Sequence, residues 1–130
     1  MQIKRVRLAD GVPISFDETY LPLLLGNRIV KNDLRLYPIF TLLEKEYGVP
    51  LVEADYELEA VIATKAVADA LHVKTGSPVF QIERTSMTTG NQPVDYEVLS
   101  YRGDLVRFTT KLLRHRANSA GTRPLLFRKR

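Results

Sequence analysis

Charged side chains recur at a spacing of two residues near the start of the chain. Arg5 and Arg7 fall in an alternating segment at 2–8, and Asp17 falls in a second alternating segment at 13–21. Side chains two residues apart project from one face of a strand, so both guanidinium groups point the same way. Paired guanidinium groups bind a carboxylate or a phosphate, and a neighbouring carboxylate accepts hydrogens from a hydroxyl or an amine. The pattern predicts a site for a small anion, with solvated cross-strand ion pairs as the alternative.

A later segment, 93–101, shows the same spacing. Asp95, Glu97, Leu99 and Tyr101 alternate along it, so a carboxylate and a phenol share one strand face. We expect Asp95 and Tyr101 to belong to the binding site. A solvated polar face with weak cross-strand pairs remains the alternative for this segment too.

Sequence motifs of the common enzyme classes are missing. The chain has no G-x-S-x-G, no H-E-x-x-H, no phosphate-binding P-loop and no dinucleotide-binding G-x-G-x-x-G. It has no cysteine, and its two histidines, His72 and His115, have no second ligand nearby, whereas zinc needs three or four. We therefore predict no catalytic residue, no metal site and no cofactor.

Length and composition indicate one domain. The 130 residues are 45% hydrophobic and 26% charged, which suits a single core. No apolar run approaches the roughly 20 residues of a membrane span, and the charged start of the chain does not resemble a signal peptide. We expect a cytoplasmic protein that does not contact a membrane.

The positive charge is concentrated at the end of the chain. Residues 114–130 contain six basic side chains and no acidic one, which leaves 13 basic and 15 acidic residues in 1–113. The sequence thus divides into a slightly acidic domain at 1–113 and a basic C-terminal tail at 114–130. Such a tail is either solvated or binds phosphate groups.

Periodicity predicts an α+β fold. Alternating segments indicate strands at 2–8, 13–21, 51–63, 78–87, 93–101 and 105–112, and helical spacing indicates helices at 35–47, with Pro38 in its first turn, and 65–72. Asp10-Gly11 signals a hairpin turn. We prefer a register with an odd loop, which pairs Arg5 and Arg7 with Ser15 and Asp17 and gives the hairpin one polar and one apolar face.

The chain contains a weak internal repeat. Gln2-Ile3-Lys4-Arg5 recurs as Gln81-Ile82-Glu83-Arg84. Gly11 then matches Gly90, and after one inserted residue Asp17 matches Glu97. Two copies of a hairpin predict a sheet built from duplicated halves. The first copy lacks the helix and turn that precede the second, so the first domain is expected to be truncated on its N-terminal side, or to have that edge covered by a partner.

Taken in order, several segments resemble the UTRA domain, the effector-binding domain of HutC-type regulators in the GntR superfamily. The resemblance extends over about residues 1–113. The matching segments are RVRLADGVP (5–13), DETYLP (17–22), LLEKEYGVP (42–50), ADAL (68–71), GSPV (76–79), QPVDYE (92–97) and YRGD (101–104).

The resemblance implies a chorismate-lyase-like α+β fold, a mainly antiparallel sheet with flanking helices, and a noncatalytic role in sensing a small metabolite. It also implies a homodimer and a parent transcriptional regulator, expected to be a repressor, that binds operator DNA through a winged helix-turn-helix absent from this chain. By position, the ligand-binding residues of the family fall on Arg5, Arg7, Asp17, Asp95 and Tyr101. The alternative is an enzyme with the same fold.

One segment departs from the pattern of sugar-phosphate-sensing members. Those members start a helix with a stretch resembling Ser-Leu-Tyr, whose hydroxyl groups help to hold phosphate, whereas this chain has Pro38-Ile39-Phe40. The change removes both hydroxyl groups and one backbone N–H. We therefore expect an anionic effector that is not a sugar phosphate, with an apolar part beside Phe40.

Overall fold

The computed structural model describes residues 1–114, so the predicted basic tail lies outside the described residues except for Arg114. In this part of the chain five strands form an antiparallel sheet in the order β1-β2-β5-β4-β3. The strands are β1 (Gln2–Ala9), β2 (Val12–Tyr20), β3 (Glu53–Ile62), β4 (Pro78–Thr88) and β5 (Gln92–Arg102). The helices are α1 (Leu23–Ile29), α2 (Ile39–Thr41), which continues as a π-helical turn over Leu42–Glu46, and α3 (Lys65–Leu71). The predicted α+β class and antiparallel sheet are confirmed.

A bulge sets the register of the first hairpin. Asp10 and Gly11 form a two-residue turn with φ angles of 49° and 78°, both positive, as a type I′ turn requires. This turn alone would place Arg7 opposite Ile14. A register shift next to Arg7 places it opposite Ser15 instead, and Arg5 opposite Asp17. The preferred pairing is confirmed, although a bulge and not an odd loop produces it.

The second hairpin has the same irregularity at the equivalent place. Its register shifts between Ser86 and Met87, and the residue skipped on β5 is Val94, directly after a proline. In the first hairpin the skipped residue, Ile14, also directly follows a proline. The equivalent bulges support the interpretation that the two hairpins are copies of one unit.

The copies meet through β2 and β5, their second strands. These strands are antiparallel, and Glu18 lies opposite Val98, its counterpart in the repeat. An antiparallel pair in which counterparts lie opposite each other has a local two-fold axis at that point. Side chains of one hairpin therefore have symmetry-related equivalents in the other.

Helices cover both faces of the sheet. The face that we call the polar face carries six buried polar side chains, which are Ser15, Asp17, Thr19, Ser86, Asp95 and Glu97. The main apolar core lies between this face and the helices α1 and α2, and contains Ile3, Leu21, Ile29, Ile39, Leu42 and Leu43. On the opposite face α3 packs against Val79 and Phe16. Thr64 caps α3 as predicted, by accepting a hydrogen bond from the backbone N–H of Val67.

Three details of the predicted elements are wrong. The helix predicted at 35–47 begins only at Ile39, because Pro38 is extended, with ψ of 141°, and precedes the helix. The helix α1 was not predicted, since it has only seven residues and contains Gly26, a poor helix former. The strand predicted at 105–112 is not formed within the described residues. Both edges of β5 are already occupied, by β2 and β4, so the segment that follows β5 cannot pair with it. Phe108 packs on the rings of Phe80 and Tyr101 instead.

Candidate functional site

Four of the six predicted site residues lie together where β1, β2 and β5 run side by side. Arg7 lies at the centre, and its Nε is 2.9 Å from Ser15 Oγ and 2.7 Å from Asp17 Oδ2. Its Nη2 donates a hydrogen bond of 2.6 Å to Tyr101 Oη. Arg5 Nη2 lies 3.9 Å from the same Asp17 oxygen. We call these five side chains the arginine cluster.

The buried carboxylate of Asp17 organises the arginine cluster. Asp17 is 2% exposed, whereas the Arg7 side chain is 46% exposed and reaches the surface. Partial burial lowers the pKa of Arg7, but the nearby Asp17 and Tyr101 oxygens raise it by more, so the guanidinium remains charged. One carboxylate serves two guanidinium groups, which leaves the cluster with a single positive charge.

A cavity of about 780 Å³ opens next to the two arginines. It lies between β1 and the loop at 34–38, and its lining residues are Arg5, Val6, Arg7, Leu8, Leu34, Arg35, Leu36, Tyr37 and Pro38. Consecutive residues of a strand point to opposite faces, so residues 5–8 together line the cavity only because it lies along the free edge of β1. Its volume is in the range of small-molecule sites.

Phe40 and Glu97 belong to a second group, which we call the Arg84 cluster. Arg84 forms an ion pair and hydrogen bonds with Glu97, a buried carboxylate that also accepts a 3.4 Å hydrogen bond from Thr19. The Arg84 guanidinium lies 4.1 Å from the centre of the Phe40 ring, at a distance typical of cation–π contacts. The structure therefore places Phe40 against this arginine and not among the residues that line the cavity.

Asp95 lies at the far end of the polar face from Tyr101. The two are six residues apart on β5, which is about 20 Å of strand. Asp95 is 3% exposed and lies opposite Ser86 on β4, and neither of its carboxylate oxygens accepts a hydrogen bond of normal geometry from residues 1–114. Burial raises its pKa to about 6; Glu97 acts in the same direction, and Ser86 and Arg84 oppose it.

The two clusters are related by the internal repeat. Arg84 is the counterpart of Arg5, and Glu97 is the counterpart of Asp17. Each hairpin therefore contains a buried carboxylate beside an arginine at the equivalent position. Arg84 and Glu97 were not predicted as a pair, although the repeat contained the signal. The cavity wall at 34–38 was not predicted either, because no pattern in that segment indicates that it faces β1.

Residues 1–114 contain no group of three or more carboxylate or histidine side chains that is suited to a metal ion. No helix in that part of the chain is long and apolar enough to cross a membrane.

Two known proteins with similar sequences are transcription regulators. The UTRA domain family model matches residues 1–107. The chain is 29% identical over 107 residues to the HTH-type transcriptional repressor NagR of Bacillus subtilis, covering 82% of this chain and 44% of NagR. It is 30% identical over 114 residues to the HTH-type transcriptional regulator Rv0792c of Mycobacterium tuberculosis, covering 85% and 42%. The chain thus spans less than half the length of these relatives.

Solved structures show the same fold. The C-terminal domain of the histidine utilization repressor of Pseudomonas syringae superposes with a TM-score of 0.79 at 21% identity, covering 87% of this chain and 78% of that one. A ligand-binding domain assigned to the GntR family of regulators, from Bordetella bronchiseptica, superposes with a TM-score of 0.73 at 31% identity, covering 86% and 73%.

Proposed function

This chain belongs to the UTRA family of effector-binding domains from GntR-family transcriptional regulators, and we propose that it senses a small anionic metabolite in the cavity beside β1. The observation that carries this proposal is the arginine cluster at the cavity. Arg5 and Arg7 line the cavity, and the single Asp17 carboxylate leaves one positive charge there. A metabolite anion neutralises this positive charge and forms charge-assisted hydrogen bonds with the two arginines.

The loop at 34–38 offers a route from the cavity to the rest of the domain. It forms the wall opposite β1 and leads directly into α2, where Phe40 lies on Arg84. We propose that a ligand which pulls this loop towards β1 also shifts α2 on the Arg84 cluster. Coupling between such sites is typically worth about 1–3 kcal/mol.

The wider assignment is also a proposal. A small ligand regulates transcription only if the parent protein binds operator DNA. We propose that it does so through a winged helix-turn-helix outside this chain, and that the protein acts in the cytoplasm. We propose a homodimeric repressor, and the similarity to the repressor NagR supports this choice. The matched relatives are transcription regulators, which favours a noncatalytic sensor over a chorismate-lyase-like enzyme.

The test is a thermal-shift screen of organic acids, amino acids and sugar phosphates, followed by calorimetry on the compounds that stabilise the protein. Replacing Arg7 with alanine should weaken binding by about 1.5–3 kcal/mol, roughly ten- to a hundred-fold, because charge-assisted hydrogen bonds are lost. The matched control is Arg102→Ala, since Arg102 pairs with Asp104 and does not line the cavity. Equal affinities of the wild type and Arg7→Ala for every compound would exclude this site.

A further inference from the structure

The walls of the cavity are mostly apolar. Six of its nine lining residues are apolar, namely Val6, Leu8, Leu34, Leu36, Tyr37 and Pro38. Three of these, Leu8, Leu36 and Tyr37, are 59%, 71% and 51% exposed. Clustered exposed apolar side chains around a concave site mark a surface that a ligand or partner covers. The ligand of this cavity therefore needs an apolar body as well as a charge.

The charge of the cavity favours a ligand with one negative charge. Arg35 at the rim forms two hydrogen bonds with Asp33, of 3.0 and 2.9 Å, which neutralise it. Arg5 and Arg7 share the single Asp17 carboxylate. The net charge is thus about +1, which matches a carboxylate, whereas a phosphate monoester carries about −1.5 to −2 at neutral pH.

The backbone next to the cavity lacks the features that hold phosphate groups. Pro38 precedes α2 and has no N–H, and α2 has no side-chain cap. The residues that follow, Ile39 and Phe40, have no hydroxyl group, and the Phe40 ring is occupied by Arg84. A ligand at this wall meets the apolar side chains of Leu36 and Tyr37 instead.

We propose that the cavity binds a monocarboxylate with an aromatic or branched apolar body. The carboxylate lies against Arg5 and Arg7 at the edge of β1, and the body packs on Leu34, Leu36 and Tyr37 across the cavity. This inference rests on the proposed sensing function and narrows its ligand class. The two halves of the ligand are recognised by different walls, so charge and body can be varied separately.

The experiment is calorimetry on the full chain with matched probes. We would compare 3-phenylpropionate with 3-phenylpropionamide, which removes the charge, with acetate, which removes the body, and with glucose 6-phosphate. The expected result is a Kd for 3-phenylpropionate at least ten-fold lower than for each of the others. Leu36→Ser should weaken 3-phenylpropionate several-fold and leave acetate unchanged, while Arg7→Ala should weaken both anions.

The outcomes separate this inference from the proposed function. If glucose 6-phosphate binds in an Arg7-dependent manner and 3-phenylpropionate does not, the ligand class is wrong and the sensing site stands. If the amide binds as tightly as the acid, the carboxylate assignment is overturned. If no compound of any class binds, both the ligand class and the proposed function fail. Because Leu36 is largely exposed, its replacement by serine should leave the fold intact, and circular dichroism checks this.

Discussion

Asp95 should make the stability of this domain depend on pH in a direction opposite to that of most carboxylates. Its carboxyl group is buried on the polar face, without a hydrogen bond of normal geometry from residues 1–114, and burial raises its pKa from 3.8 to about 6. The folded state therefore holds the proton more tightly than the unfolded chain does. Its contribution to stability is complete below about pH 4 and is lost as the pH rises through 6.

The size of the effect follows from the pKa difference. Each pKa unit corresponds to about 1.4 kcal/mol, so a change from 3.8 to about 6 is worth about 3 kcal/mol above pH 7. Asparagine has a similar shape and carries no charge, and thus imitates the protonated acid. Asp95→Asn should therefore stabilise the domain by about 2–3 kcal/mol at pH 8 and have little effect at pH 4.

Urea denaturation of the wild type and Asp95→Asn between pH 4 and pH 8 tests this reasoning. The quantity of interest is the difference between the two free energies of unfolding, since effects of other titrating groups cancel in it. Asp69→Asn is the matched control: Asp69 is a surface residue paired with Lys65, and its replacement should change stability by less than about 0.5 kcal/mol at all pH values. A difference for Asp95→Asn that is constant with pH, or that favours the wild type at pH 8, would refute the argument.

Three other substitutions probe the frame around the site. Arg84→Met leaves the Glu97 carboxylate buried without its arginine and should destabilise the domain by about 3–5 kcal/mol in urea; a loss below 1 kcal/mol would contradict this. Gly103→Ala places a Cβ atom 2.7 Å from the backbone oxygen of Pro78, which cannot rotate away, and should cost about 1–3 kcal/mol; a neutral result would show that the backbone there adapts. Thr64→Ala removes the cap of α3 and should lower stability by about 1 kcal/mol, whereas Thr64→Ser should retain most of it.

The sequence was sufficient where local chemistry determines structure. Asp10-Gly11 predicts a hairpin turn because aspartate and glycine tolerate positive φ, and Thr64 predicts the start of α3 because its hydroxyl accepts a backbone hydrogen bond. The pairing of Arg5 with Asp17 was also predicted, from the need for one polar and one apolar face. The bulge that produces this pairing was not, since alternation alone does not show where a residue is skipped.

Contacts between distant parts of the chain could not be predicted from local patterns. Phe40 was expected beside the ligand, but it lies on Arg84, which is brought to it only by the order of the strands. Asp95 and Tyr101 share a strand face as predicted, yet they lie about 20 Å apart, because each step of two residues advances about 7 Å. The role of the Arg84 cluster follows from the repeat once the two hairpins are superposed.

Nuclear magnetic resonance of the arginine side chains shows directly whether the cavity beside β1 binds an anion. The Nε–H signals of Arg5, Arg7, Arg84 and Arg102 would be assigned in the full chain, which is then titrated with 3-phenylpropionate and, separately, with inorganic phosphate. If the cavity beside β1 binds an anion, at least one of these anions shifts the signals of Arg5 and Arg7 in a saturable manner, while the signal of Arg102, paired with Asp104, stays in place. Saturable shifts confined to Arg84 or Arg102, with Arg5 and Arg7 unaffected, would contradict it.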